Sequence, residues 1–136
     1  MKVSLSYRAD QEYSATNESG NALDIDMLKE HKKAMSPTEL LLSATVACAA
    51  VDIVSMIKKR RKTLVDIKGT AEGDRREEHP RKFVKVHIQY EITSPDLTDD
   101  EASKIIALAV SKYCSVAASL DPDIALTHGH TILQPA

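Results

Sequence analysis

Cys48 and Cys114, the chain's 2 cysteines, are the residues best suited to carry redox chemistry. A thiolate attacks an electrophilic oxygen or sulfur, and a second thiol nearby resolves the product as a disulfide. That chemistry needs both sulfurs in one pocket, yet the two residues fall on separate predicted helices. Buried, unactivated thiols are also ordinary small core residues. Residue type and spacing leave both readings open.

The elements that must position them are legible. Cys48 lies in SPTELLLSATVACAAVDIVSMIKKRRK, Ser36–Lys62. Ser36 caps a predicted helix, Pro37 takes its first position, and Glu39 closes an S-x-x-E capping box. Cys48 is too far from that start for the helix N-terminus to stabilise its thiolate. Asp52 follows by one turn on the same face. A lone carboxylate opposes a thiolate, so Asp52 helps only by anchoring an Arg that also reaches the sulfur. The run Lys58–Lys62 meets the negative end of the helix dipole, which accounts for it without an anionic partner. A second capping box, Thr98–Glu101, opens the helix that carries Cys114 in KYCSVAASL, and Asp121-Pro122-Asp123 breaks it.

Strand patterns fill the rest. Val3, Leu5 and Tyr7 alternate with polar residues, NESGN (Asn17–Asn21) signals a turn, and Leu23, Ile25 and Met27 resume the alternation. Lys29–Met35 reads as a polar linker. Leu64–Gly73 and Arg81–Thr93 read as two strands, and Ile124–Leu133 as a last one. The order ββ(β)-α-ββ-α-β predicts an α+β fold, with an antiparallel sheet packed on a long central helix. The 136 residues predict one domain, 1–136.

The first helix is apolar almost all round, and one small sheet covers only one side of it. A partner subunit is the economical cover, so an obligate homodimer is expected. Leu40–Ile57 approaches the length of a membrane span. Asp52 and the small residues within it favour a helix buried in a soluble protein, with no membrane partner. A net charge of -2 argues against a general nucleic-acid binder. The opening MKVSLSYRAD shows no export signal, so a cytoplasmic location with reduced thiols is expected. His128 and His130 share a strand face without a third ligand, and no metal or other cofactor is expected. No zinc motif, P-loop, dinucleotide fingerprint or hydrolase triad is present.

SPTELLLSATVAC around Cys48 and KYCSVAASL around Cys114, with the order of elements, resemble the OsmC/Ohr family of thiol peroxidases and related proteins. Tyr113-Cys114-Ser115-Val116, with Asp52 four residues after Cys48, places the resemblance nearest the YhfA-like branch. The resemblance implies an intertwined homodimer with sites at the subunit interface. It implies a peroxidatic Cys48, which attacks an organic hydroperoxide and becomes a sulfenic acid. Cys114 would resolve it as a disulfide, and a dithiol reductant protein would reduce that disulfide. The family's peroxidases carry a Glu ten residues before the first cysteine to hold a catalytic Arg; here Thr38 stands there. The family's Arg comes from the N-terminal strands, where this chain has Arg8. Arg75 is the alternative cation, expected to pair with Asp52 and approach Cys48. A non-catalytic binding protein for an apolar small molecule, or a redox sensor, is the alternative function.

Overall fold

The computed structural model describes residues 1–136. The chain divides into two compact units, Met1–Leu41 and Leu42–Ala136. In the first, β1 (Val3–Ala9), β2 (Glu12–Asn17) and β3 (Ala22–Asp26) form an antiparallel meander in that order. Its turns follow from local chemistry. Gln11 takes a φ of 65° between β1 and β2. The Asn17 side chain accepts from the N–H groups of Ser19 and Asn21, closing the next turn.

The polar linker that follows is organised by one buried carboxylate. Asp26 Oδ2 accepts from the N–H groups of Lys33 at 2.7 Å and Ala34 at 2.8 Å. Its Oδ1 receives the Lys32 ammonium at 3.0 Å. Burial raises the Asp26 pKa, but these hydrogen bonds and the Lys32 charge outweigh it and hold it below the ordinary carboxylate value.

Helix α1 spans Pro37–Lys59 and begins at the predicted capping box. Glu39 N–H donates to Ser36 Oγ at 3.3 Å, and Ser36 N–H donates to Glu39 Oε1 at 3.0 Å. It ends in a Schellman arrangement. Lys62 N–H reaches the Ile57 carbonyl, and Arg61 adopts a φ of 59°.

The second unit holds β4 (Asp66–Arg75), β5 (Phe83–Thr93), α2 (Asp99–Leu108), a π-helical turn (Ala109–Tyr113), α3 (Ser115–Ala118) and β6 (Ala125–Leu133). The sheet order is β4-β5-β6. The apolar alternation along β5, inside the predicted strand Arg81–Thr93, sets its buried face: Val86, Ile88, Tyr90 and Ile92. Ala49, Ile53 and Ile57 of α1 join that face, as do Ala102, Ile105 and Ile106 of α2, in one aliphatic core. Thr98 caps α2 through the predicted box with Glu101.

One expected detail changes. The sheet is mixed rather than antiparallel throughout: β4 pairs antiparallel with β5, whereas β6 runs parallel to β5. The cause is the connection, since a helical crossover brings the chain back to the end from which β5 started.

Helix α1 is long and apolar enough to cross a membrane by length and composition. One face is nevertheless committed to the core through Ala49, Ile53 and Ile57. The opposite face is left open, with Val51 70% exposed.

Candidate thiol site

Cys48 faces the core from the middle of α1, half-buried, while Cys114 is 2% exposed. Both thiols are free and lie near enough that Cys48 raises the Cys114 pKa. The fold therefore brings together the two residues that the sequence separates by a sheet and a helix.

The backbone places Cys114. After α2 the helix widens into the π-helical turn, and Cys114 N–H donates to the Ala109 carbonyl at 2.8 Å. Cys114 then leaves helical geometry, at φ −72° and ψ 107°, and becomes the N-cap of α3. Its Sγ accepts from Ala117 N–H at 3.3 Å. Sequence reading had Cys114 near the end of one continuous helix; it caps the start of another. π-helical turns gather at functional sites because they redirect a side chain without ending the element.

The electrostatics separate the two thiols. Burial pushes the Cys114 pKa up, as does the neighbouring Cys48, while the N–H groups of Ala117 and Val116 pull it down. The net direction is upward, so Cys114 keeps its proton at neutral pH.

Tyr90 completes the site. It is fully buried in β5, and its hydroxyl donates to the Val46 carbonyl of α1 at 2.6 Å, two residues before Cys48. Burial raises its pKa, and charge on Cys114 and Cys48 raises it further, so it stays protonated. Space for its ring comes from Gly69 on β4. A Cβ there would sit 2.8 Å from Tyr90 Cε1 and 2.8 Å from Val46 Cγ2.

Within the predicted strand Arg81–Thr93, Tyr90 is one apolar position of an alternation. The available signal was its hydroxyl: a phenol at an aliphatic core position needs a partner.

The other predicted site residues are placed differently. Asp52 lines a cleft of ≈ 300 Å³ with Ser55, Met56, Lys59 and Tyr113, the residue before Cys114. Arg75 does not pair with Asp52 in this chain. It is exposed at the end of β4, and its Nε donates to the Arg81 carbonyl at 2.7 Å. Arg76 and Arg81 likewise turn onto carbonyls of the β4–β5 hairpin. The hairpin end holds its own arginines, and a one-residue spacing pattern could not reveal that. Arg8 is exposed near the end of β1 and lines a concavity of the first unit with Glu12, Tyr13, Asp24, Asp26 and Lys33. His130 Nε2 meets Asp99 Oδ1 at 3.2 Å, across from β6 to the start of α2.

Two thiols in contact, held by a long helix, a π-helical turn and a mixed sheet, define a chain of the OsmC-like protein family. The family's sequence pattern matches residues 30–129, and the chain belongs to that family. It is similar to Protein YhfA of Escherichia coli (strain K12), with 37% identity over 101 residues, 74% of this chain and 75% of that protein. The family and the YhfA-like branch are those the cysteine motifs pointed to. Among solved structures, a hypothetical protein from Aquifex aeolicus VF5 shares a TM-score of 0.87 at 26% identity, covering 99% of this chain and 97% of that one. The organic hydroperoxide resistance protein OhrB of Bacillus subtilis shares the fold, with a TM-score of 0.67 at 15% identity over 96% of each chain.

Proposed function

We propose that this chain is a dithiol peroxidase that reduces organic hydroperoxides. The observation that carries the reading is the approach of two free thiols, Cys48 and Cys114, in one aliphatic core. Cys48 is the more accessible of the two, and Cys114 is the one held protonated. Cys48 therefore attacks as thiolate. Its sulfur lone pair takes the terminal peroxide oxygen, the O–O bond breaks, and the alkoxide leaves as alcohol after taking a proton. Cys48 is oxidised to a sulfenic acid and the peroxide is reduced.

Cys114 then attacks the Cys48 sulfur. The S–S bond forms, and hydroxide leaves with the Cys114 proton as water. An external dithiol restores both thiols by exchange, and no cofactor takes part. The aliphatic lining favours a bulky apolar peroxide over hydrogen peroxide. A reducing compartment, the cytoplasm, suits a site that starts from two free thiols.

The test is single-turnover mixing of reduced protein with an organic hydroperoxide, followed by mass spectrometry of both cysteines. Wild type should form a Cys48–Cys114 disulfide. Cys48→Ser should not react, whereas Cys114→Ser should react once and stop as a Cys48 sulfenic acid. A second reading, a binding protein for an apolar small molecule, draws on one observation: Arg75 is engaged by the hairpin carbonyl rather than by Asp52. Survival of the wild-type thiols in excess organic hydroperoxide would select it. Arg8 is the remaining candidate for the activating cation, and Arg8→Met should slow Cys48 oxidation if it has that task.

We further propose a homodimer. Val51, Leu41, Val3, Leu5 and Tyr7 are all exposed large apolar side chains, at 70%, 39%, 66%, 64% and 70%. Exposed large apolar side chains of this kind are what subunit interfaces cover. The thermal midpoint should rise with protein concentration. A monomer in sedimentation at low micromolar concentration would rule the dimer out.

A further inference from the structure

The cleft beside the thiol pair carries a charge of opposite sign at each end. Asp52, Ser55, Met56 and Lys59 line it from α1, and Tyr113 lines it from the π-helical turn. The α1 positions recur at three- and four-residue spacing, so they form one stripe of the helix. Asp52 and Lys59 stand two turns apart on that stripe, about 10 Å along the axis. Neither enters an ion pair or a side-chain hydrogen bond within the chain. Asp52 is half-buried, so its charge bears a desolvation cost that a cation in the cleft would offset.

The surroundings sharpen this polarity. Lys58, Arg60 and Arg61 flank Lys59 at the end of α1, exposed and without a carboxylate partner, and they keep that end positive. From the facing element, the Lys112 ammonium sits 5.6 Å from the centroid of the Tyr113 ring. Asp52 is the one acidic side chain lining the cleft. Between the two ends, Met56 offers an adaptable apolar surface, and the Ser55 and Tyr113 hydroxyls can donate or accept.

We propose that this cleft binds a short peptide with free termini, its ammonium on Asp52 and its carboxylate on Lys59. The charge spacing sets the length. An extended chain spans at most about 3.3–3.6 Å per residue, so a tripeptide bridges the two charges. The cleft, at ≈ 300 Å³, has the size of a small-ligand site. A dipolar ligand compensates both charges, whereas a ligand of one sign leaves the other unpaired. The site uses neither sulfur and does not depend on the peroxidase reading.

The experiment is an NMR titration of the protein with the tripeptide Ala-Leu-Ala in free, N-acetylated and C-amidated forms. The free peptide should bind, with amide shifts centred on Ser55, Met56 and Tyr113. Blocking either terminus should weaken binding about fivefold, the upper range for an ion pair at a surface. Asp52→Asn should bind the free and acetylated peptides equally while still preferring the free over the amidated one. Lys59→Gln should bind the free and amidated peptides equally while still preferring the free over the acetylated one. A variant that had lost its fold would lose both preferences together, so the crossed pattern separates recognition from stability. No binding of the free peptide at millimolar concentration would overturn the proposal. So would equal binding of all three forms by wild type, or variants that keep the full wild-type preference.

Discussion

Gly69→Ala should destabilise the protein, and the structure sets the size. The residue lies in β4 with its backbone outside the left-handed region, so alanine fits the chain there. By itself that exchange would stabilise by about 0.4–1 kcal/mol through the unfolded state. Its new methyl, however, would lie 2.8 Å from Tyr90 Cε1, 2.9 Å from Tyr90 Cδ1 and 2.8 Å from Val46 Cγ2. The Tyr90 ring is fully buried and tied to α1 at its hydroxyl, so it cannot swing aside. Overpacking of this kind costs about 1–3 kcal/mol. The net loss should be about 1–2 kcal/mol, or about 3–8 °C in thermal midpoint for a domain of this length.

Urea and thermal unfolding at matched protein concentration measure it. Val46→Ala removes one of the close contacts, so the double variant should lose less than the sum of the two single variants. Gly69→Ala protein as stable as wild type, or additive behaviour with Val46→Ala, would refute the tight slot and with it the fixed position of Tyr90.

Three further outcomes are expected. Asp26 has a lowered pKa in the folded state, so its contribution is present above the ordinary carboxylate value of 3.8 and is lost as pH falls through the folded value. Asp26→Asn should flatten stability against pH in the acid range, read by thermal unfolding. Cys114 shows the opposite sign: its raised pKa contributes stability that is full below the ordinary thiol value of 9.0 and is lost as pH rises toward the folded one. Cys114→Ala should flatten the alkaline limb of the same curve. Thr98→Ala removes the acceptor for Glu101 N–H and should cost about 1 kcal/mol in urea unfolding.

The features legible in the sequence are those whose causes are local. Both capping boxes appear where the side chains spell them, because a cap is satisfied within four residues. The buried face of β5 follows from its alternation. Strand direction does not, because period two is the same for parallel and antiparallel pairs, and β6 is parallel. The approach of Cys48 and Cys114 was available only through the family resemblance, since no spacing rule joins residues on two helices separated in the chain by two strands. The expected Arg75–Asp52 pair failed for the same reason in reverse. Charge complementarity named plausible partners, while the hairpin backbone had already taken the guanidinium. Tyr90 hid inside a correct strand assignment, because alternation records that a residue is buried and not what its polar atom touches.

The π-helical turn at Ala109–Tyr113 makes the thiol pair depend on chain length as well as on side chains. Each residue added to or removed from a helix rotates everything after it by about 100°. A one-residue deletion within 109–113 would let α2 continue in regular α-helical register. It would turn Cys114 away from Cys48 with every site side chain still present. Point substitutions in that turn leave the rotation intact. Lineages that keep both cysteines but lose the turn would therefore keep two thiols that no longer meet, so under the proposed peroxidase reading an indel in this turn marks lost thiol chemistry better than the identity of either cysteine.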